Sequence, residues 1–433
     1  MTDKSLVRAW YSVFILLLAF VFSFIDRIIL SLLVGPIKAD LNVSDSAMGF
    51  LMGLAFAIFY TLLGLPIARL ADRYSRRLII GAGVFLWSLA TAACGLARSY
   101  THLLLARIGV GVGEAALSPA AYSMIADMFP KEQVGRAISV YQSGAFFGAA
   151  IAFSVGGLVI GLTSGVETMD WPIVGAIKPW QAAFIIVGLP GVLMAALMAT
   201  IREPARKGRS GAQAASIPLD EVVGFVKQHR KAFIGHFLGF SLLSCPIVVV
   251  FTWSPTFFAR VLGIAPQDIG QILALMLLVC SPLGVIAGGW LSDFFYRRGH
   301  RDAPIRVGLI AAAGMLPLTI AAHLGSSLPW VLTLYCPWIF FASMPVGTAP
   351  AALQLISPNR MRAQVSAFYM LAMNLLTATI TPFGIGLAND LLFTDADGIG
   401  LSIVMVASIP VPIAALVLWQ ARRSFSELSD SDG

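Results

Sequence analysis

Residues 16–34 read LLLAFVFSFIDRIILSLLV, an apolar run that two charges, Asp26 and Arg27, interrupt. About 20 mostly apolar residues are enough for a helix to cross a bilayer. The run therefore predicts a membrane span. Because a charge at membrane depth is costly, both charged side chains must face protein, water or a ligand.

A second apolar run has the same property. Residues 103–126 read LLLARIGVGVGEAALSPAAYSMIA and contain Arg107 and Glu114. With Asp26 and Arg27 they form a quartet of charges inside two predicted spans. Charges at such positions are typical of a functional site in a membrane protein.

Composition extends the membrane interpretation to the whole chain. Of the 433 residues, 58% are hydrophobic and 12% charged, against roughly 45–50% apolar and about 25% charged in soluble domains. We therefore predict an all-α integral membrane protein with twelve transmembrane helices. The predicted spans are residues 10–33, 47–69, 78–97, 100–126, 137–162, 180–201, 232–258, 267–293, 306–324, 328–352, 362–388 and 399–422.

Basic residues fix the predicted orientation. Of the 29 Lys and Arg, those in predicted outer loops are Lys38, Arg98, Lys178 and Arg260. Apart from the two arginines of the quartet, the others cluster on the opposite side, which the positive-inside rule places in the cytoplasm together with both termini. The net charge of +7 is therefore a topology signal. Nucleic-acid binding would need basic residues gathered on one face among aromatics, so we expect no such partner.

The cysteines and histidines form no ligand pattern. Cys94, Cys245, Cys280 and Cys336 are scattered singly through apolar spans, which predicts neither a disulfide framework nor a metal site. The five histidines are spread one to a region, so we expect no metal and no cofactor.

A polar stretch, residues 202–231, divides the predicted spans six and six. We assign residues 1–201 to an N-terminal half, 202–231 to a cytoplasmic linker, 232–424 to a C-terminal half and 425–433 to a cytoplasmic tail that we predict to be disordered. Within the linker, LDEVVGFVKQHR has the pattern of a short amphipathic helix on the cytoplasmic surface.

A repeat supports this division. The loop after the second span reads ARLADRYSRRLII (68–80), and the loop after the eighth reads GGWLSDFFYRRGHR (288–301). The positive-inside rule explains the paired arginines in both, but not Asp72 and Asp293 at matching offsets. Matching loops in two six-helix halves are expected of a transporter whose halves rock about a central site.

Helical spacing predicts where the quartet lies. Arg107, Glu114 and Ser118 fall on one face of the fourth span, which the intervening glycines leave open. At about 1.5 Å per residue, Asp26 lies at the depth of Arg107, and Glu114 lies about 10 Å deeper. We therefore expect Asp26 to pair with Arg107, and Glu114 to stay free to titrate or to meet a ligand. Arg27, about 100° around the helix from Asp26, faces the cavity or pairs elsewhere.

These four side chains suggest proton coupling. Burial disfavours the charged form of a carboxyl group and a nearby arginine favours it, so a conformational change that alters the pairing binds or releases a proton. We predict that Asp26 and Glu114 are the protonation sites. Arg27 and Arg107 would be their charge partners or would contact an anionic head group. The structural alternative is a buried ion pair that only fixes helix register.

The predicted C-terminal half has no comparable charge inside its spans. A cavity that is charged on one wall and apolar on the other suits an amphiphile better than a sugar, although each lining residue is also consistent with ordinary helix packing. The predicted lining residues are Phe56, Tyr60, Ser118, Tyr122, Tyr141, Trp253, Phe368, Tyr369, Met370 and Asn374.

Four stretches resemble motifs of the major facilitator superfamily. Residues 68–77 resemble its cytoplasmic signature loop, with an Ala and a Ser where glycines are usual, and residues 289–298 resemble its second copy. Residues 107–111 resemble its fourth-helix motif, and SGAFFGAAIAFSVGG (143–157) its glycine-rich fifth-helix motif. The resemblance implies two six-helix halves, alternating access and no enzymatic activity. The implied gating residues are Asp72, Arg73, Arg76, Arg77, Asp293, Arg297 and Arg298.

A narrower resemblance joins the first and fourth spans. FSFIDRIILS and GVGEAALSPAAYSMIADMFP together resemble the spinster family, whose animal members export sphingosine-1-phosphate or lysophospholipids. This resemblance implies a proton-coupled secondary active transporter of lysolipid-like amphiphiles. We expect a monomeric bacterial homologue in the inner membrane, with protons as the coupling ion.

Other functions fit less of the sequence. A proton-coupled drug or organic-anion exporter of the same superfamily uses the same residues and is the main alternative. A membrane-embedded enzyme would need a nucleophile with its base, or a metal cluster, at membrane depth. A channel would make no use of a two-half repeat.

Overall fold

The computed structural model describes residues 3–163, 165–171, 175–206, 218–358 and 361–431. Almost all regular structure in this part of the chain is helical. The α-helices are Asp3–Leu32, Val34–Leu41, Asp45–Met52, Leu54–Arg73, Arg76–Cys94, Tyr100–Glu114, Leu117–Met128, Lys131–Leu162, Pro179–Met198, Leu219–Gln228, Arg230–Leu243, Cys245–Thr252, Ser254–Arg260, Pro266–Arg297, Ala303–His323, Leu328–Leu355, Arg362–Ala378, Gly384–Leu391, Ile399–Ser408 and Pro410–Ser431.

Twelve stretches of the described residues are long and apolar enough to cross a membrane, which confirms the predicted fold class. In chain order, and numbered here as the first to the twelfth span, they are Leu6–Leu32, Asp45–Ala71, Arg76–Cys94, Tyr100–Met128, Gln133–Leu162, Pro179–Met198, Arg230–Thr252, Pro266–Arg297, Ala303–His323, Leu328–Leu355, Gln364–Leu391 and Ile399–Ser429.

Among the described residues, five spans are divided into more than one helix: the second, fourth, seventh, eleventh and twelfth. The fourth span divides after Glu114, and its second helix begins at Leu117. The eleventh span contains a π-helix, Thr379–Phe383. Pro382 lies inside this π-helix, and a proline removes a backbone donor and widens the turn around it.

The chain forms two compact units. Unit 1 comprises residues 1–214 and 265–274, and unit 2 comprises residues 215–264 and 275–433. Residues 265–274, which include the first turns of the eighth span, belong to unit 1 because they pack closely on the fifth span. A Cβ placed on Gly270 would lie 2.2 Å from the carbonyl oxygen of Phe153.

Unit 1 contains the first six spans around one apolar core. Fully buried side chains in this core include Val13, Ile80, Trp87 and Tyr141, which come from the first, third and fifth spans. The glycine-rich fifth span packs directly on the first, as its motif predicts. A Cβ on Gly148 would lie 2.7 Å from the Val21 carbonyl oxygen.

Unit 1 also contains a β-hairpin that the sequence did not predict. Strands Met169–Trp171 and Gly175–Ile177 pair antiparallel, with Met169 opposite Ile177. Strands of three residues carry too little alternation to be recognised.

The described part of unit 2 ends in a helix, where the sequence analysis predicted a disordered tail. The last helix continues to Ser431, with Phe425 fully buried and Leu428 5% exposed. The predicted disorder of residues 425–431 is therefore wrong, because these apolar side chains recur at helical spacing and are buried. The predicted linker helix is confirmed as Leu219–Gln228, and residues 207–217 of the predicted linker lie outside the described part.

Candidate functional site

The centre of the candidate site is an ion pair between the first and fourth spans. Arg27 Nη2 and Nε each lie 2.6 Å from Glu114 Oε2. Ser23, one helical turn before Arg27, donates its hydroxyl to the same oxygen at 2.6 Å. The other oxygen, Oε1, is buried and makes no hydrogen bond to any described residue. One carboxylate oxygen is thus fully engaged, and the other is free to accept a proton or a donor.

This pairing corrects the sequence-based expectation that Glu114 has no cation at its own level. The expectation compared depths along the helix axis. The long side chain of Arg27 covers the difference in depth, and Ser23 places a donor beside it. The predicted open face around Glu114 is also wrong, because a Cβ on Gly111 would lie 2.9 Å from the Phe56 carbonyl oxygen.

Glycines place Glu114 against the third span. A Cβ on Gly113 would lie 2.7 Å from the Trp87 backbone nitrogen and 2.8 Å from the Gly83 carbonyl oxygen. Only a residue without a side chain allows this approach. Glu114 therefore sits at the break of the fourth span on a backbone that has little room to move.

Aromatic rings surround the Arg27 guanidinium. Its Cζ atom lies 4.5 Å from the ring centre of Phe56, 5.0 Å from that of Tyr60 and 5.3 Å from that of Phe24. These distances are within the range of cation–π attraction. The Arg27 side chain is 26% exposed, whereas that of Glu114 is fully buried. Arg27 is therefore the member of the pair that an incoming anion can reach.

Asp26 and Arg107 lie close together but are not joined by the predicted side-chain ion pair. Arg107 Nη1 donates to the backbone carbonyl of Asp26 at 2.9 Å, while the Asp26 carboxyl lies beside the side chains of Thr91 and Trp87. Asp26 is 2% exposed and Arg107 is 1% exposed. The atoms Asp26 Oδ1, Thr91 Oγ1 and Trp87 Nε1 are buried without a hydrogen bond of good geometry to the described residues. Asp26 therefore keeps an unsatisfied acceptor at membrane depth.

The predicted lining residues of unit 1 differ in exposure. Phe56 and Tyr60 stack on each other, 5.3 Å apart, beside Arg27. Tyr141 is fully buried, and its hydroxyl lies 3.3 Å from that of Ser118. Tyr122 packs edge-on against the Tyr141 ring. Tyr141 is therefore a core residue of unit 1, not part of an open wall.

The predicted lining residues of unit 2 also divide into buried and exposed side chains. Trp253 is fully buried and donates its indole N–H to the Pro382 carbonyl at 2.9 Å, so it is a packing residue. Tyr369 is 5% exposed, whereas Met370 is 42% exposed. Phe368 and Asn374 are partly exposed.

The predicted gating loop of unit 1 contains a buried arginine clamp. Arg76 is 2% exposed and binds both Asp127 and Glu203, the latter at 2.9 Å. Its neighbour Arg77 donates to the Ile201 carbonyl at 3.0 Å, and Arg73 is exposed. The side chain of Asp72 lies outside the described part of the structure.

The clamp lowers the pKa of Glu203. Burial alone would raise the pKa of Glu203, but hydrogen bonds from the Arg77 amide, the Arg76 guanidinium and the Ser75 hydroxyl together lower it below the usual value. No pattern in the sequence predicts this role of Glu203, which lies far from Arg76 along the chain.

The corresponding loop of unit 2 is different. Asp293, Arg297 and Arg298 are exposed, and the Arg298 guanidinium lies 4.1 Å from the ring centre of Phe294. The buried charge in this region is Asp302, 4% exposed, which accepts from Arg306 at 2.8 Å and Arg422 at 3.0 Å. The sequence-based site did not include these three residues.

Sequence reasoning also missed a buried histidine network in unit 2. His323 Nδ1 lies 2.8 Å from the Thr319 carbonyl oxygen, and its Nε2 lies 2.8 Å from the Tyr335 hydroxyl. A carbonyl only accepts, so Nδ1 carries a proton, and in the neutral imidazole Nε2 then accepts from the Tyr335 hydroxyl. No group of three His, Cys, Asp or Glu residues that could hold a metal ion occurs among the described residues.

The fold and this site define a multi-pass membrane protein with two units, one of which has a buried ion pair in its interior. The chain matches the Major Facilitator Superfamily over residues 16–382 and belongs to it. The family and the fold are those of transporters, so this protein is a transporter of that superfamily.

Three similar proteins cover much or nearly all of the chain. An "MFS-type efflux pump" of Mycolicibacterium smegmatis is 27% identical over 425 residues, which are 96% of this chain and 92% of that protein. A "Probable L-galactonate transporter" of Escherichia coli is 26% identical over 306 residues, which are 67% of this chain and 63% of that protein. A crystal structure of a bacterial homologue of the human lysosomal transporter spinster has a TM-score of 0.84 and 26% identity, and the match covers 97% of this chain and 98% of that one. The resemblance to the spinster family is thereby confirmed.

Proposed function

We propose that this protein is a proton-coupled secondary active transporter that moves lysolipid-like amphiphiles by alternating access. The observation that carries the proposal is the Arg27–Glu114 pair, in which one carboxylate oxygen holds the cation and the other has no hydrogen-bond partner among the described residues. A proton added at Oε1 neutralises the carboxylate and weakens its hold on Arg27.

Competition for Arg27 couples the proton to the substrate. When Glu114 is protonated, the guanidinium is available to the anionic head group of a ligand. When Glu114 is charged, the ion pair re-forms and displaces that head group. A ligand and a proton that each favour the same state of the pair are thermodynamically linked, whichever binds first.

Asp26 is the second protonation site in this proposal. Its carboxyl interacts electrostatically with both Glu114 and Arg107. A proton on either carboxyl group reduces the repulsion between the two. Arg107 remains bound to the Asp26 backbone carbonyl and supplies a fixed positive charge.

The surroundings of Arg27 favour an amphiphile. A cation whose side chain is 26% exposed stands among three aromatic rings, so a charged group and apolar surface are adjacent. A lysolipid has the complementary pair of features, an anionic phosphate that can meet the cation and an acyl chain that can meet the apolar surface. The resemblance of the first and fourth spans to the spinster family implies the same substrate class.

The proposal includes a setting in the cell. We place a monomer in a bacterial inner membrane, with both termini in the cytoplasm, surrounded by membrane lipid and using protons in place of a cofactor. The placement of basic residues in the sequence supports this orientation.

Uptake into proteoliposomes tests the proposal. The purified protein should accumulate lysophosphatidylglycerol when a pH gradient is imposed and should stop when a protonophore collapses that gradient. Glu114→Gln and Asp26→Asn should each lose gradient-driven uptake and keep facilitated exchange. Glu167→Gln, at an exposed carboxylate in the loop before the hairpin, is the matched control and should behave as wild type. Full gradient-driven uptake in both Asp26→Asn and Glu114→Gln would show that the coupling assignment is wrong.

A second candidate substrate class is a small organic anion such as a sugar acid. The exposed Arg27 guanidinium can bind any carboxylate, and one similar protein is a probable L-galactonate transporter. Competition separates the two classes: excess L-galactonate should not reduce lysophosphatidylglycerol uptake if the amphiphile is the substrate. Phe56→Ala should weaken amphiphile binding most, because it removes the ring nearest to Arg27.

A further inference from the structure

Two cysteines that are far apart in the sequence are neighbours in unit 2. Cys280 belongs to the eighth span and Cys336 to the tenth. The Cys280 thiol interacts with the Cys336 thiol, and both are free thiols. The sequence places each of the four cysteines in a different span, and no pattern within those spans shows that these two meet.

The packing of the eighth and tenth spans explains the contact. A Cβ on Gly284 would lie 2.2 Å from the Phe340 carbonyl oxygen, and a Cβ on Gly288 would lie 2.7 Å from the Met344 carbonyl oxygen. The two contacts are one helical turn apart on both spans, so the spans run parallel in a constant register. One turn further back, the same register places Cys280 opposite Cys336. The glycines thus bring the two backbones close together just beyond the thiols.

In the described part of the chain, the other two cysteines interact with groups other than thiols. Cys94 and Cys245 are fully buried in the third and seventh spans. The sulfur of Cys245 points to the Ser241 carbonyl, and the Cys94 thiol lies near the charged side chains of Arg107 and Asp26. The pair is therefore distinguished from the other cysteines by geometry, not by burial alone.

We propose that Cys280 and Cys336 are a redox-active pair that a lipid-soluble two-electron oxidant converts into a disulfide between the eighth and tenth spans. The oxidant must dissolve in the bilayer because both residues lie within spans. Two S–H bonds break, one S–S bond forms, and two protons and two electrons pass to the oxidant. A disulfide needs Cα atoms about 4.4–6.8 Å apart, which backbones in close contact can provide.

Diamide is a suitable oxidant for testing this reaction, because it accepts the two electrons and two protons that the thiols release. With diamide, a membrane-permeant azo compound, the first thiol adds across the N=N bond. The second thiol then attacks the bound sulfur and releases the hydrazine. Because both cysteines belong to unit 2, the disulfide cross-links two spans within that unit. The oxidised form should therefore melt at a higher temperature than the reduced form.

Counting free thiols tests the proposal. The full-length protein in native membranes is treated with diamide, unfolded, alkylated and weighed. The reduced protein has four cysteines and takes four labels, and the oxidised protein should take only two. Tandem mass spectrometry should find the Cys280 peptide joined to the Cys336 peptide, and dithiothreitol should separate them. Four labels after oxidation, or a bond to Cys94 or Cys245, overturns the proposal.

Variants connect the reaction to the packing. Cys280→Ser and Cys336→Ser should each abolish the bond, and Cys245→Ser should keep it. Gly284→Ala pushes the tenth span away and should slow oxidation by about tenfold or more, since small misplacements are costly for reacting groups. Gly289→Ala, on the same helix with nothing within 4 Å of its added Cβ, is the matched control and should react like wild type. Equal rates in the two alanine variants would refute the register on which the proposal depends.

Discussion

Two polar clusters within the spans differ in charge: the quartet of unit 1 consists of carboxyl and guanidinium groups, whereas the network around His323 in unit 2 consists of neutral ring and hydroxyl groups. Unit 1 holds Asp26, Arg27, Arg107 and Glu114 within two spans, and both carboxyl groups keep a buried oxygen without a hydrogen bond to the described residues. In unit 2, both ring nitrogens of His323 are hydrogen-bonded.

The neutral network is closed by further bonds. The Tyr335 hydroxyl lies 3.1 Å from that of Ser254, and Trp338 donates its indole N–H to Thr319 Oγ1 at 2.8 Å. A satisfied network rigidifies the helices that it joins, while a partly satisfied one leaves groups that can bind something else. The difference supports our proposal that the charged quartet of unit 1 exchanges protons and ligand, while the His323 network holds together the helices that it joins.

The largest expected effect comes from breaking the ion pair of unit 1. Glu114→Ala leaves the Arg27 guanidinium without its partner and should lower the free energy of unfolding by about 3 kcal/mol, as for other buried pairs. Denaturant unfolding in detergent micelles measures this. The double variant Arg27→Met/Glu114→Leu should recover most of the loss, because no unpaired charge remains. If Glu114→Ala were as stable as wild type, the ion pair of unit 1 would not contribute to stability, and the contrast with the neutral network of unit 2 would have no energetic basis.

A smaller effect should follow from moving the first span, which holds half of the charges. A Cβ on Gly148 would lie 2.7 Å from both the Val21 carbonyl oxygen and the Phe24 Cβ. Gly148→Ala should therefore cost about 1–3 kcal/mol by overpacking. Gly135→Ala, on the same helix with nothing within 4 Å, should be neutral or up to about 1 kcal/mol stabilising, because alanine favours a helix. Equal effects would mean that the fifth span does not position the first.

In unit 2 the matching test removes one hydroxyl. Tyr335→Phe takes away the donor to His323 Nε2 and should cost about 1–2 kcal/mol, with transport retained. Tyr369→Phe is the matched control, since Tyr369 contacts His236 and Phe237 through its ring. It should change the unfolding free energy by less than about 0.5 kcal/mol. Loss of proton coupling in Tyr335→Phe would contradict a purely structural role for the network.

The spans, and the presence of the charged quartet within them, could be predicted because they depend on local composition and on the cost of burying charge. The partners could not. Depth along a helix axis does not give the reach of a side chain, so the sequence analysis did not pair Arg27 with Glu114. Contacts such as Arg76 with Glu203, or Cys280 with Cys336, depend on how distant helices pack, and no pattern within either helix encodes them. The helical tail is different, because the apolar spacing of Phe425 and Leu428 was present in the sequence.

The smallest expected effect concerns two clusters of ion pairs with opposite central charge. In the clamp of unit 1, Arg76 binds two carboxylates. In unit 2, Asp302 binds two arginines, and we call this cluster the second clamp. Folding lowers the pKa of Glu203, so its contribution to stability is fully present above its unfolded pKa of about 4.3 and is lost as the pH falls through the lower, folded pKa. Glu203→Gln should therefore lose less stability than wild type between pH 5 and pH 3, by up to about 1 kcal/mol. Melting temperatures across this range measure the difference, and Glu167→Gln provides the comparison for an exposed carboxylate. If the melting temperatures of wild type and Glu203→Gln changed in parallel with pH, the Arg76 clamp would make no pH-dependent contribution to stability. The opposite polarity of the two clamps would then have no consequence for the pH dependence of stability.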